Sequence, residues 1–216
     1  MAAARTALAP LLDGGDKRLL VGIAGPPAAG KSTLATTLAR DLCQAFPRHG
    51  DAAGAEFAVA VGMDGFHLAN SELNRLGLNS TKGAPDTFDA YGFIALLRRL
   101  KTADEPVVYA PVFSRTLNES IGSAQPVRAG VRVVVIEGNY LLLPRPPWAE
   151  VGELLDYVFY LDAPDDSRVD SLLRRQRSRG LAPAAAEDWV RRSDEANAAL
   201  IAATRHRADH VLLRPA

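Results

Sequence analysis

The chain has 216 residues, of which 48% are hydrophobic and 23% are charged. This length suits a single domain, residues 1–216, with a full hydrophobic core, and the composition excludes a disordered or fibrous protein. Lysine plus arginine and aspartate plus glutamate both number 25. The chain therefore lacks the excess positive charge of nucleic-acid-binding proteins, and we expect no nucleic-acid partner.

The single cysteine and the N-terminal segment indicate the cellular compartment in which we expect the protein. Cys43 is the single cysteine, so no internal disulfide can form, and we expect a small buried thiol in a reducing cytoplasm. Residues 1–12 are mildly apolar, but Asp13 ends them before a signal-peptide core is reached, so we interpret them as a frayed lead-in. No apolar run approaches the ~18 residues of a membrane-spanning helix, so no membrane partner is expected.

Strand and helix patterns alternate along the chain. Short apolar runs predict five strands, at residues 19–24, 57–63, 131–136, 157–161 and 211–213. Apolar residues at helical spacing predict four helices, at residues 31–46, 86–101, 165–179 and 184–206. This alternation indicates an α/β fold with a parallel sheet covered on both faces, whose central strand is the first one. Two polar stretches, residues 68–85 and 107–126, interrupt it and are expected to carry function.

A glycine-rich segment follows the first predicted strand and opens the first long helix. It reads Gly-Pro-Pro-Ala-Ala-Gly-Lys-Ser, with two glycines separated by four residues and followed by lysine and serine. This pattern in this context predicts a loop whose backbone N–H groups surround the phosphates of ATP. Lys31 would bridge the β- and γ-phosphates, and the Ser32 hydroxyl would bind Mg²⁺. The expected nucleotide-binding residues are Gly25, Pro26, Ala28, Ala29, Gly30, Lys31, Ser32 and Thr33.

Two carboxylates follow predicted strands, at the edge of a parallel sheet where ligands collect. Asp64 could accept the proton of an attacking hydroxyl or help to hold the metal, and the alternative is a turn-forming Asp-Gly pair. Glu137 ends the most hydrophobic strand, and we expect it to reach Mg²⁺ through water, unless it only caps the next segment. Asp162 also ends a strand, but Ala163 and Pro164 follow it, so we interpret it as structural.

Arginines repeat along the helix predicted at residues 165–179. Arg168, Arg175 and Arg179 are seven and four residues apart, so they share one helix face. Cations there could close over the phosphates, with Arg175 as the catalytic candidate, and a solvated basic face is the alternative. Arg174 lies off this stripe.

Together these residues resemble the P-loop kinases that include bacterial pantothenate kinase, uridine kinase and fructose-kinase-like proteins. The resemblance runs from about residue 19 to 209 and rests on five blocks, residues 25–33, 63–68, 82–89, 109–115 and 136–140. It implies a P-loop NTPase three-layer α/β/α fold with a five-stranded parallel sheet, an acceptor-binding insert at about 65–126 and a small helical lid at about 168–185.

The resemblance also implies an activity, the phosphorylation of a hydroxyl on a small acceptor with Asp64 as general base. It places Tyr109 and Arg115 in the acceptor pocket, with His67 and Lys82 from the same insert as further candidates. Ordinary packing is the alternative for Tyr109, and a satisfied loop histidine is the alternative for His67. Sugar, pantothenate and nucleoside acceptors all stay open, although the short chain favours the fructose-kinase-like group.

Two other classes of nucleotide-binding protein fit the sequence less well than a kinase does. A GTP-dependent switch would carry an Asn-Lys-x-Asp segment, and the sequence has none. A motor ATPase would more usually end its acidic strand in Asp-Glu, whereas Gly138 follows Glu137. A non-kinase ATPase and a nucleotide-sensing binding module remain alternatives. The expected partner is a small-molecule hydroxyl acceptor, and a homodimer is left open.

Overall fold

The computed structural model describes residues 2–15, 17–47, 56–178 and 180–214. The strands in these ranges are β1 (Leu19–Ala24), β2 (Ala58–Gly62), β3 (Val107–Ser114), β4 (Glu119–Arg128), β5 (Val133–Glu137), β6 (Tyr157–Asp162) and β7 (His210–Leu213). The α-helices are α1 (Ala2–Asp13), α2 (Lys31–Ala45), α3 (Asn70–Leu76), α4 (Ala90–Thr102), α5 (Ala149–Leu154), α6 (Asp165–Ser178), α7 (Pro183–Trp189) and α8 (Glu195–Ala202). A π-helical segment, Val190–Asp194, joins α7 to α8.

The main sheet has five parallel strands in the order β2-β5-β1-β6-β7. Successive side chains of β1 enter opposite layers. Leu20 packs in a core with α4 and α8, whereas Leu19 and Val21 pack in a second core with α1 and α2. Both faces of the sheet are therefore buried, as near-continuous apolar strands require. The predicted three-layer fold and the central position of β1 are confirmed.

The N-terminal segment is a helix, so its interpretation as a frayed lead-in was wrong. Ala4 and Leu8 in α1 are fully buried in the same core as Leu38 and Leu42 of α2. These two α1 residues are four positions apart and share one helix face, which packs onto α2. In the described part of the chain, none of the helices has the length and apolar character needed to span a bilayer.

Element ends differ from the predicted ones where side chains cap the backbone. The helix predicted from residue 86 begins at Ala90, because the Asp89 carboxylate accepts a hydrogen bond of 2.8 Å from the Gly92 N–H. The helix predicted at 184–206 is divided by the π-helical segment.

Cys43 is half-buried, and its thiol bonds to the backbone of Ala58 at 3.3 Å, which ties α2 to β2.

The polar insert contains more regular structure than its composition suggests. Residues 107–126 contribute most of a two-stranded antiparallel sheet, β3 with β4, which stands apart from the main sheet. Residues 68–85 contain α3 and a 3-10 turn at Asn79–Thr81, and a further turn at Pro85–Thr87 begins there. Prolines and exposed polar residues hide the strand periodicity of the hairpin from the sequence.

Arg18 links several segments just before β1. Its side chain is buried, and it donates hydrogen bonds of 2.7–3.1 Å to four carbonyl oxygens, those of Leu100, Arg128, Ala129 and Val131. These bonds join the end of α4 and the β4–β5 connection to the start of β1.

We expect Arg18→Met to lower the free energy of unfolding by about 3 kcal/mol, because buried carbonyls lose a charged donor. Urea denaturation would measure this loss. Lys17→Met is the matched control, since Lys17 is exposed, and it should change the free energy by less than about 0.5 kcal/mol. Equal effects of the two substitutions would contradict a structural role for Arg18.

Candidate active site

A cleft of about 620 Å³ opens at the carboxyl ends of the strands of the main sheet. One wall is formed by the glycine-rich loop and the start of α2, and a second by the insert between β2 and β5. Helices α6 and α8 and the segment between them form a third wall. Open parallel sheets bind ligands at this edge, so the cleft is the candidate active site.

The loop before α2 has the backbone of a phosphate cradle. Gly25 has φ +149°, and a Cβ there would lie 2.5 Å from the Leu161 carbonyl oxygen, so a larger residue cannot fit. Gly30 has φ +99° and directly precedes α2, whose N-terminal N–H groups face the cleft side of the loop. Of the predicted nucleotide-binding residues, Ala28, Gly30, Lys31, Ser32 and Thr33 line the cleft; Gly25, Pro26 and Ala29 shape the loop behind it.

Lys31 lies along the loop with its ammonium group at the floor of the cleft. Its Nζ donates to the Pro26 carbonyl oxygen at 2.9 Å, and the side chain is 7% exposed. Burial lowers the pKa of Lys31, and the nearby Glu137 and Asp64 carboxylates oppose that shift. The two acids thus favour a charged lysine where anionic phosphates would lie.

Ser32 and Glu137 form the candidate metal position. The Ser32 hydroxyl donates to Glu137 Oε1 at 3.0 Å, although the two residues are 105 positions apart. Among the described residues there is no group of three or more histidine, cysteine or acidic side chains that could hold a metal. A hydroxyl and one carboxylate suit Mg²⁺, which takes few protein ligands and completes its shell with phosphate oxygens and water.

The carboxyl group of Glu137 favours its neutral form more than an ordinary carboxyl group does. Burial raises the pKa of Glu137 to about 7, the Asp64 charge adds to the rise, and the Lys31 charge opposes it. Gly62 of β2 leaves room for this side chain, since a Cβ there would lie 2.9 Å from Glu137 Oε1. A cation bound beside Glu137 would favour its charged form.

Glu137→Gln should change how folding stability depends on pH. Because the pKa of Glu137 is raised when folded, its neutral form stabilises the protein below about pH 4.5, and this contribution is lost as the pH rises toward 7. Without nucleotide or metal, we expect the variant to exceed wild type by about 2 kcal/mol in unfolding free energy at pH 8, with the gain shrinking toward pH 4.5.

Urea unfolding at several pH values measures this difference. Glu153→Gln removes an exposed carboxylate and serves as the matched control, with little change expected at any pH. A gain for Glu137→Gln that is independent of pH would contradict the raised pKa.

Asp64 lies in a 3-10 turn, Met63–Phe66, directly after β2, and its side chain lines the cleft. Its carbonyl oxygen accepts a hydrogen bond from the His67 ring, with Nδ1 at 2.8 Å. The His67 ring packs between Phe88 and Phe113, with centroids 4.0 and 4.7 Å away. Burial lowers the pKa of His67, which favours the neutral ring. A neutral ring that donates from Nδ1 presents its other nitrogen as an acceptor.

Lys82 joins two parts of the insert and also lines the cleft. Its ammonium donates to the Asn70 side-chain oxygen and, at 2.8 Å, to the Asn118 carbonyl oxygen. Arg115 follows β3 and also reaches the cleft. Tyr109 is not brought there: it is 53% exposed, while its β3 neighbours Val108 and Ala110 are buried on the opposite face.

The arginines predicted to share one face of α6 have different surroundings in the structure. Arg175 lines the cleft, and Arg174, which the spacing set aside, lines it too. Arg168 is 1% exposed and pairs with Asp165 at 3.1 Å and Glu195 at 2.6 Å. Arg168 therefore fixes α6 to α8 instead of facing phosphates, which corrects the shared-face interpretation. Arg179 lies outside the described residues.

Several cleft residues were missed by sequence reasoning. They are Asn139, Phe88, Phe113, Gln176, Asp194 and Asn197. Asn139 could have been predicted as a cleft residue, because it lies two positions after Glu137 in the block at residues 136–140 that resembles the P-loop kinases. The missed residues of α6 and α8 carry no local signal, since nothing in the sequence distinguishes them from the other polar residues of these helices.

The sheet, loop and cleft together define a P-loop phosphotransferase. More specifically, the chain belongs to the Phosphoribulokinase / Uridine kinase family, whose sequence profile matches residues 20–215. It is thus an ATP-dependent small-metabolite kinase with a hydroxyl acceptor, and the predicted resemblance and enzyme class are confirmed.

Individual relatives agree with this assignment. A Schizosaccharomyces pombe protein provisionally described as a uridine kinase is 34% identical over 182 residues, covering 82% of this chain and 74% of that protein. A crystal structure from Silicibacter sp. TM1040, provisionally described as a fructose transport system kinase, is 37% identical with a TM-score of 0.85, covering 98% and 97% of the two chains. Pantothenate kinase from Clavibacter michiganensis is 34% identical over 146 residues, which cover 67% of this chain and 43% of that enzyme.

Proposed function

We propose that this kinase transfers the γ-phosphate of ATP to a hydroxyl of a sugar, with Asp64 as the general base. The observation that carries the proposal is the meeting of three groups in one cleft: Asp64 after β2, Glu137 at the end of β5, and Lys31 at the start of α2, after the loop that follows β1. These three strands are neighbours in the sheet, so the three residues lie at adjacent strand ends. This arrangement supports the proposal that they act as base, metal ligand and phosphate-binding cation.

The transfer is an in-line displacement at the γ-phosphorus. The acceptor oxygen forms a bond to phosphorus, the bond to the β–γ bridging oxygen breaks, and ADP leaves. The Asp64 carboxylate receives the hydroxyl proton. Mg²⁺ held by Ser32 and Glu137 would neutralise charge on the phosphates when bound.

The chain's own cations act on the phosphates. Lys31 stands at the loop that would hold them, and Arg174 and Arg175 line the opposite wall. Positive groups fixed before the reaction stabilise negative charge on the transferred group without reorganisation. His67 holds the Asp64 backbone in place through its ring hydrogen bond, which supports the position of the base.

A sugar is the first acceptor class to test because of the Silicibacter protein. Its description names fructose, and the similarity extends over nearly the whole of both chains. The pantothenate kinase match covers less than half of that enzyme, whereas the match to the protein provisionally described as a uridine kinase covers 74% of that protein. Nucleosides are therefore the second class to test and pantothenate is the third.

The direct test is ADP release from ATP and Mg²⁺ with the purified protein. The acceptor panel contains D-fructose, D-ribose, D-glucose, pantothenate, uridine and cytidine, with a reaction lacking acceptor beside it. Stimulation by a sugar, with the phosphorylated product seen by mass spectrometry, would support the proposal. Stimulation by pantothenate or a nucleoside alone would overturn the sugar assignment, and equal release without acceptor would favour an ATPase.

A further inference from the structure

Gly83 lines the cleft, and the peptide groups on both sides of it are held by side-chain hydroxyls. Its N–H donates to Thr87 Oγ1 at 2.9 Å, and its carbonyl oxygen accepts a hydrogen bond from the Tyr140 hydroxyl. Gly83 has φ +104°, a conformation that favours glycine, and glycine is also the residue with the greatest backbone freedom. Two side chains from different parts of the chain therefore restrict a position that glycine alone would leave free.

The segment that contains Gly83 packs against the turn that carries Asp64. Phe88 lies beside His67, with ring centroids 4.0 Å apart, and the two residues form an antiparallel bridge. The His67 ring in turn bonds to the Asp64 carbonyl oxygen. Gly83 and Phe88 both line the cleft. Direct contacts thus place this wall, residues 82–88, beside the proposed base, where an acceptor hydroxyl has to lie.

Tyr140 is a rigid anchor for this wall. Its side chain is fully buried, and its ring packs against those of Phe88 and Trp148, with centroids 5.7 and 5.4 Å away. Burial raises the pKa of Tyr140, so the hydroxyl keeps its proton and remains a donor. Tyr140 follows Glu137 by three positions, so it connects the end of β5 to the wall beside Asp64.

Thr87 is the second anchor. It is fully buried, and its hydroxyl accepts the Gly83 N–H while donating to the Ala84 carbonyl oxygen at 2.7 Å. Both anchors therefore lie in the protein interior, whereas the glycine that they hold is half-buried and lines the cleft. The two hydroxyl groups transmit a fixed position from the core to the cleft wall.

We propose that Tyr140 and Thr87 are positioning residues for the acceptor, which lies against the wall that they fix at Gly83. A Cβ at Gly83 would meet no atom within 4 Å beyond its chain neighbours in the described part of the chain, so space for a ligand exists beside it. A wall held in one place keeps the acceptor hydroxyl within reach of the base. The inference rests on the proposed kinase function and applies to whichever acceptor class the kinase uses.

Tyr140→Phe tests the inference, because it removes the hydroxyl and keeps the buried ring. We expect KM for the acceptor to rise at least about fivefold, while KM for ATP changes less than about twofold. The melting temperature should fall by about 2–4 °C, as expected for one lost hydrogen bond in a chain of this size. The probe is the compound that most stimulates ADP release among D-fructose, D-ribose, D-glucose, uridine, cytidine and pantothenate.

Tyr160→Phe is the matched control. Tyr160 of β6 is 1% exposed, it does not line the cleft, and its hydroxyl has no hydrogen-bond partner among the described residues. This variant should keep both KM values within about twofold of wild type, since it removes a tyrosine hydroxyl that holds no part of the wall.

Thr87→Val and Thr87→Ser test the second hydroxyl. Valine has the shape of threonine without the hydroxyl, and it should reproduce the acceptor effect of Tyr140→Phe. Serine keeps the hydroxyl, so acceptor KM should stay within about twofold of wild type. Because both hydroxyls act on one glycine, the double variant Tyr140→Phe/Thr87→Val should raise acceptor KM by less than the product of the two single effects.

The same kinetics contain the results that would overturn the inference. An unchanged acceptor KM in Tyr140→Phe, beside a lower melting temperature, would make Tyr140 a structural residue only. An equal rise in KM for ATP would show that the change is not confined to the acceptor wall. Single effects that multiply in the double variant would show that the two hydroxyls do not act through Gly83.

Amide hydrogen exchange tests the fixed wall without turnover. In the protein without ligands, Tyr140→Phe should raise exchange at residues 82–88 at least about fivefold and leave residues 25–33 within about twofold of wild type. Phosphorylation of uridine or pantothenate alone would overturn the sugar assignment and leave the kinetic test intact, with that compound as the probe. Without phosphorylation of any acceptor the kinase proposal fails, and exchange then decides: a rise confined to residues 82–88 supports the fixed wall, and unchanged exchange overturns it.

Discussion

Asp64→Asn is expected to lower kcat about 10³-fold while leaving ATP affinity within a few-fold of wild type. Asparagine keeps the size of the side chain but cannot receive the proton of the attacking hydroxyl, and general-base catalysis contributes about 10²–10⁴-fold. The backbone contact survives, because the His67 ring bonds to the Asp64 carbonyl oxygen and not to its carboxylate. Steady-state turnover and ATP titration measure the two quantities.

Asp162→Asn is the matched control for this substitution. Asp162 also ends a strand of the main sheet, but its carboxylate pairs with Arg205 at 3.1 Å and not with cleft residues. We expect near-normal turnover from that variant. Unchanged kcat in Asp64→Asn would remove Asp64 as the base, and an equal loss in both variants would point to a general effect of strand-end acids on folding.

Lys31→Ala should abolish measurable transfer and also weaken ATP binding. The ammonium at the floor of the cleft bonds to the Pro26 carbonyl oxygen of the loop. Loss of one preorganised donor to a reacting group costs about 10²–10³-fold in kcat. Because the same group also attracts the phosphates in the ground state, KM for ATP should rise as well. Stabilisation by ATP in thermal melts reports binding independently of turnover.

The two substitutions separate the roles of the two residues. Asp64→Asn should keep most of the thermal stabilisation given by ATP, whereas Lys31→Ala should lose most of it. If both variants kept ATP stabilisation equally, Lys31 would have no ground-state contact with the phosphates. Lys101→Ala, at a lysine that pairs with Asp156 far along the chain from the loop, is the control for loss of a lysine.

The centre of the fold was predictable because its signals are local and continuous. The strand predicted at 19–24 is β1 with the same bounds, and the glycine loop and α2 follow it as expected. The contact of Ser32 with Glu137 could be anticipated across 105 positions, because both residues lie at the same edge of a parallel sheet. Parallel pairing thus converts strand ends in the sequence into neighbours in the site.

The acceptor side was less predictable because side-chain direction there depends on irregular backbone. The β3–β4 register shifts between Ala110 and Val112, an irregularity that the sequence does not signal. Tyr109 is exposed on the face opposite the buried Val108 and Ala110, although its block resembles an acceptor motif. In α6, spacing placed Arg168 and Arg175 on one face, but the packing of α8 over the first turn buries Arg168.

Lys82 has a further consequence for how the kinase would receive its acceptor. By bonding to Asn70 and Asn118 at once, it joins α3 to the tip of the β3–β4 hairpin, and the Asn70 N–H also bonds to Glu119. These hydrogen bonds hold the insert in one shape before an acceptor binds. The conformational entropy of the insert is already lost when the protein folds, so binding an acceptor costs less free energy for ordering this wall of the cleft.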